Sequence, residues 1–272
     1  MEKQKYDKCI PDDFWKMTLE DCYAKNYLDA YSILARGFWC CENKPKEGKL
    51  LLTGINPSYN RTLDQKITTT PFADLKGGFW EKKKEQFGEL WNDDTMSYLD
   101  LFPIRESDQR HFEQSFDNNE HVRSIRGNIL KVTQDAIEEM KPLLIVHANK
   151  ESLYYWGIKK NTHAGDDAND YEHPWMGYKV KRVTLETYPD LPPCMLEYDR
   201  LSLFPLYEIV GFVDSDKRIN HIERQETNLK FIMGYVMDDR HPNYNGKLYQ
   251  QNEEKKEWAE IWKWIKDHSP AD

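Results

Sequence analysis

The chain has 272 residues, enough to bury a substantial core as one large domain or two small ones. Aromatic residues make up 13%, with nine Trp and sixteen Tyr, a content that argues against disorder. The net charge of -9 weighs against a general duplex-DNA binder, whose affinity comes from neutralising phosphate with a basic face; a local basic patch stays compatible with it.

No apolar stretch reaches membrane-spanning length, and residues 1–5 have no apolar core behind them. A cytoplasmic protein without a signal peptide is expected. Five cysteines, Cys9, Cys22, Cys40, Cys41 and Cys194, form no C-x-x-C pair, which fits reduced, buried thiols. His163 and His173 with Asp166, Asp167 and Asp170 lack the spacing of a recognised metal site, so neither metal nor cofactor is expected.

Asp12 and Asp13 can cap a helix running to Arg36, stopped by Gly37, with Tyr23, Tyr27, Ala30, Tyr31 and Leu34 on its buried side. Leu50 to Leu52 then reads as a buried strand of a parallel sheet. Gly54-Ile55-Asn56-Pro57-Ser58 follows. Glycine lets backbone approach closely and proline stops the strand, so Asn56 is held at a carboxyl end, where ligands sit in open α/β sheets. An ordinary Asn-Pro turn is the plainer alternative.

Phe72 lies in a loop ahead of Gly77-Gly78, and a helix over 79–92 carries Lys82, Lys83 and Lys84 as a solvated face. Met96 to Pro103 reads as a second central strand, with Asp100 near its carboxyl end. An ionised Asp accepts hydrogen bonds but cannot donate them, and a helix dipole or Arg105 would be its plainer partner. The polar run 105–120 reads as a loop insertion. Val122, Ile125, Ile129, Val132, Ala136 and Met140 trace a helical stripe ended by Pro142. Leu143 to His147 is a third buried strand, its histidine facing either the pocket or the core, and Asn149 is expected to cap the next helix. Strand-like runs at 178–185, 194–198 and 206–213 read as an insertion on the main sheet. A last strand, 231–237, leads to His241-Pro242-Asn243-Tyr244, and a helix over 252–268 carries Trp258, Ile261, Trp262 and Ile265 on one face.

The order of these motifs resembles the uracil-DNA glycosylase superfamily: a strand with Gly54-Ile55-Asn56-Pro57, an aromatic, a strand with a polar end, a helix, a strand and helix, then a strand with His241-Pro242. It is closest to the branches written GINPG or GMNPG, the mismatch-specific and single-strand-selective types. The resemblance covers roughly residues 49 to 160 and 229 to 246. It implies an α/β fold, a three-layer α/β/α sandwich with a central, mainly parallel four-stranded sheet. One domain would span residues 1–272, with a β-rich insertion at about 161–227. It also implies a monomer that acts on single- or double-stranded DNA, hydrolysing the N-glycosidic bond of a flipped, damaged or deaminated base without a cofactor.

In that reading Asn56 positions the attacking water and His241 stabilises charge on the departing base. Gly54, Ile55, Pro57, Ser58, Phe72, Asp100 and His147 form the base site, with Phe72 stacking on the base and Phe79 and Trp80 as competitors for that role. Two departures from the pattern stand out. Asn243 and Tyr244 replace a Ser-Pro pair, and Asp100 stands where the superfamily places an Asn that reads the uracil edge. A carboxylate there would suit a base with exocyclic amino groups better. Two other readings remain: an inactive or repurposed glycosylase-fold protein binding a nucleoside, nucleotide or protein partner, and a flavodoxin-like protein binding a phosphate ligand. No Gly-rich phosphate loop follows Leu52, which argues against the latter.

Overall fold

The computed structural model describes residues 3–42, 47–59, 69–117, 119–159, 166–173, 175–195, 205–213, 226–233 and 251–269. His163 and the His241-Pro242-Asn243-Tyr244 stretch lie outside the described residues. The helices are α1 (Lys3–Asp7), α2 (Leu19–Ala24), α3 (Leu28–Leu34), α4 (Gly78–Phe87), α5 (Gln109–Asp117), α6 (Glu120–Met140), α7 (Leu153–Trp156) and α8 (Gln251–His268). The strands are β1 (Cys40–Glu42), β2 (Leu50–Gly54), β3 (Thr69–Pro71), β4 (Met96–Asp100), β5 (Leu144–His147), β6 (Tyr178–Arg182), β7 (Leu206–Phe212) and β8 (Phe231–Met233).

The main sheet is mostly parallel, in the order β4-β2-β5-β8-β7-β6, while β1 and β3 form a separate parallel pair. Strands β4, β2, β5 and β8 run parallel, and β7 and β6 are added antiparallel. The sheet therefore has six strands rather than four, because the hairpin from the insertion continues it beyond β8. Parallel neighbours need crossovers, and helices supply those between β2 and β4 and between β4 and β5. Strand β2 is buried at every position because both sheet faces are covered. Leu51 packs with Leu99, Ile145 and the helical residues Ile33 and Ile129, while Leu50 and Leu52 pack with Met96, Val146, Phe87 and Trp262.

The winding reverses at β2. From β2 the chain goes to β4 on one side, then crosses back to β5 on the other and on to β8. Such a reversal opens a crevice at the carboxyl ends of the strands on either side of it, here β2 and β5.

Several expected elements take a different form. The helix expected from Asp12 to Arg36 is a short 3-10 turn over Phe14–Lys16 followed by α2 and α3. Thr18 starts a fresh helix through a reciprocal capping box with Asp21, and Asn26 at φ 57° breaks it before α3. The helix expected over 79–92 ends at Gly88, whose φ is also 57°. The polar run 105–120 is not a loop: it contains α5. Asp108 Oδ1 accepts from the N–H groups of Arg110 and His111 at 3.0 and 3.1 Å, and Phe112 and Phe116, one turn apart, are buried in the core. Asn149 does not cap a helix through its side chain, since its Oδ1 has no partner; a 3-10 turn over Lys150–Ser152 leads into α7 instead. In place of a strand at 194–198 there is a 3-10 turn over Pro193–Met195, and residues 196–198 lie outside the described residues. All five cysteines are free thiols, and among the described residues no helix is long and apolar enough to cross a membrane.

If α5 belongs to the core, Phe112→Ala should cost about 3–5 kcal/mol in urea unfolding. A loop phenylalanine at that position would cost within about 0.5 kcal/mol, and that result would contradict the assignment.

Candidate functional site

The segment leaving β2 is zipped to the segment leaving β4. Leu101 N–H donates to the Gly54 carbonyl at 3.0 Å, Phe102 N–H to Ile55 at 2.8 Å and Glu106 N–H to Pro57 at 3.0 Å. Tyr59 N–H donates to Ser107 Oγ, which donates back to the Tyr59 carbonyl, each at 2.9 Å. Arg36 closes this rim, stacking 4.5 Å over the Tyr59 ring and pairing with Glu106 at 2.6 Å. Burial works to raise the Glu106 carboxyl, but bonds from the Asp108 N–H, Arg36 and His111 hold it below the usual range.

Asn56 is the main clamp between the two segments. Its Nδ2 donates to the Glu106 carbonyl at 2.5 Å and to the Ile104 carbonyl at 3.3 Å, with a longer contact to its neighbour Pro57. Its Oδ1 is enclosed and has no partner. The side chain is thus fixed at one end and presents an unused acceptor at the other.

Gly54 is paired in register with Asp100. A side chain at Gly54 would overlap the Tyr98 hydroxyl and Asp100 Oδ1, so only glycine fits there. Tyr98 O–H donates to Asp100 Oδ1 at 2.5 Å, and Asp100 Oδ2 is buried without a partner. Burial pushes the Asp100 carboxyl up to about 7, while the Tyr98 hydrogen bond pulls the other way. Among the described residues the hydrogen bond to Asp100 comes from Tyr98, in place of the helix dipole or Arg105 that were the plainer alternatives.

His147 is paired in register with β2 at Thr53, one residue before Gly54. Successive residues of a strand point to opposite faces, so the sheet separates His147 from Asp100 and does not bring them into one base site. His147 Nδ1 lies 2.8 Å from Thr53 Oγ1, its ring packs 5.5 Å from Trp156, and its Nε2 has no partner. Thr53 can spend its proton on the Val146 carbonyl, 3.4 Å away, and accept from Nδ1–H, which leaves Nε2 as a bare acceptor. Burial pushes His147 down to about 3.

Phe72 is on the Asp100 side of the sheet but is not an open platform. It is 3% exposed, its ring stacked on Trp91 at 4.9 Å, because burial in the core is the better use of that surface. Trp80 is half-buried and stands edge-on to Tyr98 at 4.6 Å, with Phe79, 41% exposed, against it. Of the motif residues, Ile55 is buried in the core, Pro57 is half-buried and Ser58 is exposed. His241 lies outside the described residues. The structure therefore brings Gly54, Asn56 and Asp100 to adjoining strand ends and adds Tyr98, Thr53 and Glu106, which sequence reasoning missed. Tyr98 had a signal: it sits two residues before Asp100, on the same strand face.

Among the described residues no group of three or more His, Cys, Asp or Glu is disposed to hold a metal. Buried polar atoms normally find partners, yet Asn56 Oδ1 and Asp100 Oδ2 have none where β2 and β4 end, and His147 Nε2 has none on the opposite face of the sheet. The chain matches no protein-family model, no curated protein and no solved structure.

The two buried titratable groups should act on stability in opposite senses. Asp100 is ionised in the unfolded chain above roughly 3.9 but neutral in the fold up to about 7, so its contribution is lost as pH rises through that window. His147 is protonated in the unfolded chain below roughly 6.5 but neutral in the fold down to about 3, so its contribution is lost as pH falls. Between about pH 4 and 6.5 the slopes oppose. Asp100→Asn removes one of them, and its stability relative to wild type should rise with pH over that range, by at most about 1.4 kcal/mol per unit. Urea midpoints across the range measure this, and parallel profiles for the two proteins would contradict it. Gly54→Ala should destabilise by roughly 1–3 kcal/mol through overpacking against Tyr98 and Asp100. A neutral result in thermal unfolding would contradict that contact.

Proposed function

We propose that the chain is a DNA N-glycosylase-like hydrolase with a three-layer α/β/α build, in which β4-β2-β5-β8 is the four-stranded core. It takes a flipped, damaged or deaminated base at the carboxyl ends of β2 and β4 and cleaves the bond between base and sugar. The supporting observation is the Asn56 amide, clamped through Nδ2 on the Ile104 and Glu106 carbonyls with Oδ1 unused, at the end of a parallel strand beside the winding reversal.

An amide does not titrate, so Asn56 serves by position. Its Oδ1 accepts a hydrogen bond from the attacking water and aims the water's lone pair at the sugar carbon; as that C–O bond forms, the C–N bond breaks with its electron pair on the base, and the proton the water sheds passes through solvent to the released base. Fixing the side chain in advance removes an ordering cost from the transition state. A base inside a duplex is out of reach of such a group, so the substrate is a single strand or a flipped nucleotide. His241, on the resemblance alone, stabilises charge on the departing base. With a net charge of -9, phosphate contacts are local and the partner is DNA held over a small footprint. A second reading, a nucleoside- or nucleotide-binding protein without chemistry, is favoured by the enclosure of Asp100 and Phe72.

The test is base release from oligonucleotides carrying uracil, hypoxanthine, xanthine or a mismatch, read as abasic sites. Wild type should release at least one of these bases. Asn56→Ala should be slower by on the order of a hundredfold or more. Losing the clamp should also cost about 1–3 kcal/mol of stability, so the rates are compared on protein shown to be folded by near-ultraviolet circular dichroism. Folded wild type that releases no base from any substrate would overturn the hydrolase in favour of the binding protein.

A further inference from the structure

We propose that the chain carries a second site, for a phosphate group, with the Arg126 guanidinium as its floor, and that the Asp117 carboxylate fills this site when no ligand is bound. Arg126 packs with the cluster of α3 and α6, on the other side of the sheet from Tyr98 and Asp100, and the proposal does not depend on the hydrolase reading.

Arg126 sits in the second turn of α6. Its guanidinium lies 4.5 Å over the Trp175 ring and 5.9 Å from the Tyr155 ring, which meets Phe102 edge-on at 4.8 Å just beyond β4. Both rings are buried, and the arginine side chain is only 1% exposed. A buried guanidinium is costly unless its N–H donors are met. Among the described residues Arg126 bonds one acceptor, Asp117 Oδ1, through Nη2, and its Nε is buried with no partner. Asp117 is the last residue of α5, and its side chain is 51% exposed. A half-exposed carboxylate that bonds a buried guanidinium reaches it from solvent. The guanidinium thus stands one side chain below the surface, where an ion from solvent can take the carboxylate's place. Stability alone does not call for this pair, since apolar residues of similar volume often replace buried ion pairs without loss.

The fit of Asp117 is incomplete in an informative way. Nε and Nη2 of an arginine form a fork that two oxygens of one oxyanion can meet together. Asp117, tethered to its helix, meets one prong and leaves the other bare. An untethered oxyanion is free to meet both. The charges favour a phosphate group over a carboxylate. Arg123, half-exposed, holds the Asp117 carbonyl at 2.9 Å through Nη2 and stands 3.9 Å from Asp117 Oδ1 through Nε. With the Asp117 carboxylate displaced, two guanidinia face the incoming ion, which suits a dianion. Two more acids lie in range of Tyr154 and Tyr155. Asp170 is spent on the N–H groups of Glu172 and His173 and on the His173 ring, and Glu113 is one turn back along α5. A tethered rival competes at an effective concentration of roughly millimolar, so wild type binds phosphate weakly and loss of the Asp117 carboxylate strengthens binding.

Thermal unfolding against inorganic phosphate, with ionic strength held constant by sodium chloride, tests this on wild type and Asp117→Ala. A ligand that binds only the folded state raises the midpoint as its concentration rises. Asp117→Ala should melt below wild type, recover with phosphate, and bind it at least about tenfold more tightly than wild type does. Acetate, a carboxylate, should bind more weakly than phosphate. Adding Arg126→Lys to Asp117→Ala keeps the charge but removes the fork, and should weaken phosphate binding by about tenfold or more. Phosphate should also change the tryptophan emission of Asp117→Ala, and adding Trp175→Phe should remove that change; this reading decides if the lysine variant does not fold. A purely structural ion pair would leave Asp117→Ala destabilised, with no recovery beyond that in chloride. That result, equal phosphate affinity in wild type and Asp117→Ala, acetate binding as tightly as phosphate, or binding indifferent to Arg126→Lys or an emission change indifferent to Trp175→Phe would each overturn the proposal. Phenyl phosphate binding at least as tightly as inorganic phosphate would assign the site to phosphate esters, and binding of inorganic phosphate alone would assign it to the free ion.

Discussion

Gly54 has no side chain, and the hydrogen bond between Tyr98 and Asp100 occupies the space where one would stand. This one contact ties together the register of two parallel strands, the burial of a carboxyl group and the position of the loop that follows. Register matters because a slip of one residue turns every side chain to the other face. With Gly54 opposite Asp100, Leu50 and Leu52 reach the same cluster as Met96 and Tyr98, and Leu51 reaches the cluster of α3 and α6. The apolar packing that holds the sheet and the polar contact at its end thus require the same alignment.

Beyond the strand ends, main-chain hydrogen bonds keep the two exits side by side for several residues, and Asn56 fastens them. The outcome is a rigid frame that leaves a few polar atoms unmet. Each unmet buried group costs about 1–3 kcal/mol. A ligand that supplied the missing partners would recover part of that free energy on binding.

How much of this was readable from the chain depends on how local each interaction is. β2, β4 and β5 were visible as apolar runs, and α6 as a stripe of Val122, Ile125 and Ile129, because burial on both faces or along one face writes directly into composition. Helix α5 was hidden, since its polar surface outweighs the two phenylalanines that anchor it. The break after α2 was hidden because a Thr18–Asp21 box reads as readily inside a longer helix as at the start of a new one. Asn56 and Asp100 could be placed at strand ends from punctuation alone. The partners that give them meaning could not: the Asn56 clamp reaches Glu106, fifty positions away. The separation of His147 from Asp100 depends on which β2 residue each strand pairs with. The sequence does not show that the Phe72 ring is already taken, because its stacking partner Trp91 stands nineteen positions further on.

A crystal structure of the protein with uracil tests the central claim most directly. The account predicts the ring at the ends of β2 and β4, with Asn56 Oδ1 within about 3 Å of a water beside it. Uracil bound elsewhere, or a site in which Asn56 Oδ1 is met by a protein group, would contradict it.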